Sequence, residues 1–277
     1  MKKNELKALI SLLDDTDHEV INHVESKIVS LGDQIIPMLE KEWENNLNPM
    51  VQERIEELIH TVQFDLLKER LKSWKATENK SLLEGMWLIS TYLYPDVELQ
   101  ELEQYIEEMY QKAVAEVNLD DEPDQQLKKL NNIFFTEYRF SANTKNFHSP
   151  SNSMLNTVLQ SKKGNPMSLC VAYMLLGRKI GLPLYGVNLP NLFVLTYKTE
   201  KEQFYINVFN RGLIFSTKDI KNYIAQINVE PRKIFFEPCS YEDILIRTCR
   251  NLKVSFEKLG EPDKVSEIEE LMAIFQG

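Results

Sequence analysis

Cysteine is scarce in this chain: Cys170, Cys239 and Cys249 are the three among 277 residues. Their number is odd and none is spaced C-x-x-C, so neither a disulfide framework nor a zinc knuckle is indicated. Histidine is nearly as sparse. His18, His23 and His60 lie in the first 60 residues and His148 just past the middle. His18 and His23 are five apart and point to different faces of a helix. After residue 60 no two histidines and no Cys/His pair have ligand spacing, so no metal and no cofactor are expected. Long apolar runs are missing too, and nothing approaches the ~20 residues that span a bilayer. The opening MKKNELKALISLLDD turns acidic after a handful of apolar residues, as an amphipathic helix does and a secretory leader does not. There is no excess of positive charge. Lys and Arg number 32 against 42 Asp and Glu, a net charge of −10, which argues against a nucleic-acid surface. The basic residues are interleaved with acidic ones, as on solvated helix faces. A soluble, cytoplasmic protein with no membrane contact is the expectation.

What is present is apolar material: 43% of the residues, enough for two or three packed modules. Val20, Val24, Ile28, Ile36 and Trp43 recur as Val51, Ile55, Ile59, Leu67 and Trp74, each displaced by 31 residues. A fixed period of helix-spaced apolar residues predicts stacked helical hairpins of the HEAT type over residues 1–78. Asp17 and Asn48 stand in matching places as helix caps.

Helical patterns follow at 81–94, opened by Ser81 with Glu84 placed for a capping box, then at 98–117 and at 123–138. SANTKNFHSPSNS (141–153) is a loop by composition, and MLNTVLQSKK after it a short helix. NLFVLTYK (191–198) and QFYINVF (203–209) read as a β-hairpin, LIFS (213–216) as a third strand, and STKDIKNYI as a helix. PRKIFFEPC reads as a further short strand. From Tyr241 to Phe275 two amphipathic helices, broken at Gly260-Glu-Pro, make a C-terminal helical hairpin. The fold class is α+β, predominantly helical. The boundaries are a helical module over 1–78, a core with its leading helices over 79–238, and the hairpin over 239–277.

At the centre stands KKGNPMSLCVAYMLLGRKIGLP (162–183). Asn165 reads as a helix N-cap with Pro166 at the first helical position. Free N–H groups at such a helix start can stabilise a thiolate, which makes Cys170 a candidate nucleophile. Its flanks are apolar nearly all round, so the competing reading is a small buried hydrophobe. Ser168 is the other candidate, against the reading that it bonds an unpaired backbone N–H.

The stretch KKGNPMSLCVAYMLLGRKIGLPLYGVNLPNLFVLTYK, followed by YINVFNRG, resembles the transglutaminase-like superfamily, and within it the bacterial SirB-type branch. The specific motifs lie at 164–169, 181–190 and 205–212. The resemblance implies a transglutaminase-like (papain-like) core with a small antiparallel sheet, after a helical N-terminal region and before a tetratricopeptide-like tail. Enzymes of the superfamily use a Cys at the helix start, a His on the next strand and an Asp on the one after, so that the carboxylate fixes the imidazole that activates the thiol. Carried across residue by residue, the nucleophile position falls on Pro166, or on Ser168 for a longer turn. The His position holds Leu192 and the Asp position Asn207. The triad is degenerate.

His148, in the 141–153 loop, is the histidine best placed to reach Ser168 or Cys170 as a base, in an arrangement unlike the family's. Asn188, Asn191, Asn207 and Asn210 form an amide-rich set around the same place. They are either turn-forming residues or, with Asn165 and Ser168, a hydrogen-bonding groove for a peptide carbonyl or carboxylate. The expected function is that of a catalytically inactive protein acting through protein or peptide interaction. The competing class is an amide hydrolase or acyltransferase using Cys170 or Ser168.

Overall fold

The computed structural model describes residues 3–13, 15 and 17–276. The chain divides into two compact units, Met1–Ser73 and Trp74–Gly277. The first holds helices α1 (Lys3–Ile10), α2 (His18–Val29), α3 (Ile36–Asn45) and most of α4 (Pro49–Ala76). Asp17 Oδ1 accepts from Glu19 N at 2.9 Å and Asn48 Oδ1 from Met50 N at 3.1 Å, each satisfying a donor at a helix start. Val24, Ile28, Val51 and Ile55 are buried in one apolar cluster with Leu39 and Leu58.

The 31-residue repeat is asymmetric in three dimensions. Its first copy bends between α2 and α3, where Gly32 takes a left-handed φ of 69° and Pro37 opens the next helix. One period on stand Gln63 and Lys68, which keep α4 unbroken for 28 residues. The second copy is therefore one long helix and not a hairpin. Trp43 is exposed, its indole N–H donating to Glu56 Oε1 at 2.8 Å, whereas Trp74 is buried.

The second unit begins with α5 (Leu82–Thr91), α6 (Leu99–Glu116) and α7 (Pro123–Asn131). Ser81 caps α5, and α7 runs on into a π-helical turn over Asn132–Glu137. The loop after it is built. Two-residue strands β1 (Ser141–Ala142) and β2 (Lys163–Gly164) pair in parallel, with a 3₁₀ turn at Pro150–Ser153 and α8 (Leu155–Ser161) between them. The central helix α9 (Pro166–Lys179) follows. Met167 to Met174 and Leu176 are buried without a gap, as expected of a helix with no polar face. The helix stops where Gly181 supplies a φ of 97°, ahead of Pro183.

α9 packs on a four-stranded antiparallel sheet in the order β3 (Leu184–Leu189), β4 (Leu192–Lys198), β5 (Gln203–Asn207), β6 (Leu213–Phe215). The expected hairpin is its β4–β5 pair, and β3 is an additional strand that the apolar pattern did not show. Helices α10 (Thr217–Gln226), α11 (Tyr241–Leu259) and α12 (Pro262–Gln276) complete the chain. PRKIFFEPC is not a strand: it holds a 3₁₀ turn at Lys233–Phe235. Pro231 and Pro238 bracket it and remove two ladder donors. Cys239 N donates to Gly186 O of β3 at 2.8 Å, and Phe236 O accepts from the side chains of Gln203 and Tyr205 on β5 at 2.7 and 3.0 Å. The hairpin of α11 and α12 turns at Gly260 (φ 74°), and α11 packs on α5, α9 and β3. The fold is thus mostly helical, with a small sheet beside one buried helix.

Candidate binding site at the start of the central helix

Asn165 is extended ahead of Pro166 and caps α9. Its Oδ1 accepts from Ser168 N at 2.9 Å while Ser168 Oγ accepts from Asn165 N at 3.1 Å, a closed reciprocal pair that satisfies two donors at the helix start. Asn165 Nδ2 donates to Ser153 Oγ at 2.9 Å, and a further contact joins Ser168 Oγ to Asn165 O at 3.3 Å. Ser168 is 1% exposed. Its hydroxyl is occupied by the cap and shielded from solvent.

Cys170 lies one turn further in, fully buried, its thiol donating to Phe193 O at 3.6 Å. Burial pushes the thiol far above its ordinary range, and a backbone contact at Val208 offsets only part of this. Attack requires the thiolate, so this environment works against the chemistry that a cysteine nucleophile performs.

The antiparallel register gathers the mapped positions at one end of the sheet. Asn188 pairs with Phe193, Leu189 with Leu192, and Asn207 with Leu213. The first turns of α9 pack on this end, through Phe193 and the 3₁₀ turn at Val208–Asn210. Leu192 packs into the cluster of Val187, Leu189, Val194 and Tyr205. Asn207 Oδ1 accepts from Asn210 N at 3.0 Å and so caps the 3₁₀ turn; Asn210 itself is exposed. Asn191 sits at φ 57° in the two-residue turn between β3 and β4, with its side chain exposed. Asn188 Oδ1 accepts from Arg247 Nη1 at 3.1 Å.

The loop carrying His148 is ordered by the buried Asn152. Its Nδ2 donates to Asn146 O at 2.6 Å and to Phe147 O at 3.1 Å, and its Oδ1 accepts from Asn143 Nδ2 at 2.8 Å. The β1–β2 pairing ties the loop to Gly164, next to the cap. This holds Phe147 and His148 over the start of α9. His148 Nε2 lies 2.6 Å from Lys258 Nζ and makes no hydrogen bond to Ser168 or Cys170.

Between these elements is a cavity of about 180 Å³. Asn165, Pro166 and Met167 form its floor, Asn191 and Phe193 one wall, and Phe147 and His148 another. Arg247, Asn251, Val254 and Ser255 of α11 close the remaining side. Leu192, Asn207, Asn210, Ser168 and Cys170 do not line it. The α11 contribution escaped sequence reasoning: Arg247, Asn251 and Val254 recur at helical spacing on one face, but nothing local says which partner that face meets. Among the described residues, no group of three or more His, Cys, Asp or Glu is arranged to hold a metal ion. Among the same residues no helix is long and apolar enough to cross a membrane. The arrangement offers a guanidinium, amides and aromatic walls. No base is bonded to either candidate nucleophile.

The chain is 24% identical over 195 residues to a UPF0162 protein of Xylella fastidiosa strain Temecula1, covering 68% of this chain and 69% of the relative. It is 29% identical over 140 residues to a UPF0162 protein of Vibrio cholerae serotype O1, covering 48% and 50%. Human F-box only protein 21 is 26% identical over 110 residues, 37% of this chain and 18% of that protein. No solved structure matches the chain. The family model described as transglutaminase-like superfamily matches residues 100–250, which contain the sheet, α9 and Arg247 of the cavity wall but not Asn251, Val254 or Ser255. The chain belongs to the transglutaminase-like superfamily.

Proposed function

We propose that this chain is a catalytically silent member of the superfamily, of the SirB-type branch, that binds a protein or peptide without transforming it. The observation that carries this reading is the state of the two candidate nucleophiles. Ser168 Oγ is tied into the Asn165 cap and Cys170 is a buried thiol whose proton rests on Phe193 O. The positions mapped to the base and its orienting carboxylate hold Leu192 and Asn207, which cannot move a proton. The amide side chains act structurally instead, as cap, turn and guanidinium rest. The peptide would bind in the cavity at the α9 start.

In the same reading the N-terminal helices are an interaction module that keeps the HEAT-like offset while replacing the second hairpin by one long helix. The chain as a whole is a cytoplasmic interaction protein without a nucleic-acid partner, in keeping with its net charge of −10. The test is turnover. Glutamine-containing peptides with an amine acceptor, and acyl-amide substrates, should be unchanged by the purified protein across the pH range. Turnover that Cys170→Ala or Ser168→Ala abolishes, with the fold intact, overturns the proposal in favour of an amide hydrolase or acyltransferase.

A further inference from the structure

Arg247 is a half-buried guanidinium with no carboxylate partner among the described residues. Buried charges are ordinarily paired, because desolvating an unpaired ion is costly. Here Nη1 rests on Asn188 Oδ1 at 3.1 Å and Leu189 O at 3.4 Å, which fixes the plane of the group. Nε and Nη2 have no partner among the described residues, and Arg247 lines the cavity. Arg250 on the same helix opposes the charge of Arg247, the Tyr223 phenol is the other titratable group acting on it, and Lys258 stands against His148, which lines the cavity. Among the described residues no Asp or Glu lines the cavity, in a chain whose net charge is −10. An oriented, unpaired guanidinium in such a wall is a carboxylate receptor, able to give two parallel charge-assisted hydrogen bonds.

The rest of the lining narrows the ligand. Met167, Phe193, Phe147 and Val254 supply an apolar surface beside the polar corner of Arg247, Asn191 and Asn251. At about 180 Å³ the cavity is below the roughly 300–1,000 Å³ of sites for drug-sized ligands. It suits one residue with a carboxylate and an apolar body, not a whole cofactor. We propose that this cavity captures the C-terminal carboxylate of a peptide ending in an apolar residue, with Arg247 as the anchor. The inference rests on the non-covalent reading above and names its ligand.

The experiment is calorimetric titration of the full chain with three hexapeptides of one sequence ending in leucine: the free acid, the C-terminal amide, and the amide carrying an interior glutamate. The free acid should bind, and both amides should bind about tenfold more weakly or worse. Arg247→Ala should lose the preference for the acid, and Arg247→Lys should keep part of it. Arg247 also supports the end of β3, so Val254→Trp, at an exposed rim position, serves as the second variant: it should block binding with the melting temperature unchanged. Equal binding of acid and amide, or no binding of any peptide, overturns the proposal. So does free-acid affinity unaltered in both Arg247→Ala and Val254→Trp. An interior glutamate binding as well as the free acid refutes the chain terminus as the source. Peptide hydrolysis dependent on Cys170 would instead sink the catalytic silence and leave the carboxylate preference standing, so the two failures are distinguishable.

Discussion

Removing the Ser168 hydroxyl separates a structural serine from a nucleophilic one. In Ser168→Ala, Asn165 N loses the acceptor that stands 3.1 Å away. Both residues are buried, and an added Cβ on Gly164 would lie only 2.5 Å from Ser168 Oγ, so the packing around the hydroxyl leaves little room for water to take over. A buried donor left unsatisfied costs about 1–3 kcal/mol. At roughly 2–4 °C per kcal/mol for a unit of this size, melting should fall by about 2–12 °C. Asn165→Ala removes the acceptor for Ser168 N at 2.9 Å and the donor to Ser153 Oγ at 2.9 Å, and losing such a cap costs about 0.5–2 kcal/mol. The two side chains act on each other's backbone, so the double variant should lose less than the sum of the singles, by about 0.5–3 kcal/mol. Urea unfolding of the four proteins, compared at unchanged m, measures this cycle. A Ser168→Ala cost below about 0.5 kcal/mol, or strict additivity, would refute the capping account.

Packing of α9 makes two further demands. Leu176 is fully buried, and Leu176→Ala should cost about 2–5 kcal/mol in urea unfolding; a loss under about 0.5 kcal/mol would place it at the surface. Gly177→Ala would ordinarily favour a helix by about 0.5–1 kcal/mol, but its new Cβ would strike Leu184 Cδ1, so we expect net destabilisation of about 1–3 kcal/mol from overpacking; net stabilisation would disprove that contact. The thiols set a pH dependence. Burial holds Cys249 up at about 12, and burial with Asp243 nearby holds Cys239 there too, whereas unfolded thiols titrate near ~8.5. The stability that these groups contribute is complete below the unfolded value and lost as pH rises towards about 12. Stability of Cys249→Ser should fall less steeply than wild type above pH ~9; parallel slopes would contradict the burial.

The parts legible in the sequence were those fixed by local chemistry. Asn165-Pro166 announces a cap and a first helical residue, Gly181 and Gly260 mark stops that demand left-handed φ, and the unbroken apolar run of α9 declares a buried helix. Ser81 marked the start of α5 in the same way, although Glu84 contributes only the backbone N–H that Ser81 Oγ accepts and not the side-chain half of the expected capping box. What was hidden depends on distant partners. β3 is a six-residue strand between Pro183 and Pro190, too short for alternation to stand out, and its existence follows from pairing with β4. The 31-residue repeat concealed that α4 is continuous, because apolar spacing is the same in a bent and a straight helix, and only the replacement of Gly32 and Pro37 by Gln63 and Lys68 distinguishes them. The candidate site was half legible. The residues around Pro166, Leu192 and Asn207 come together at one sheet end. The charge that gives the cavity its chemistry, Arg247, comes from a helix more than 70 residues further along the chain.

The central claim is that neither candidate nucleophile is available in the folded protein, and labelling tests it most directly. Native protein is exposed at neutral pH to iodoacetamide and, separately, to a fluorophosphonate, then digested and read by mass spectrometry. No adduct is expected on Ser168 or Cys170 until the chain is denatured, and the partly exposed Cys239 should be the first thiol to react, slowly. Rapid, stoichiometric labelling of Cys170 or Ser168 in the native state would contradict it.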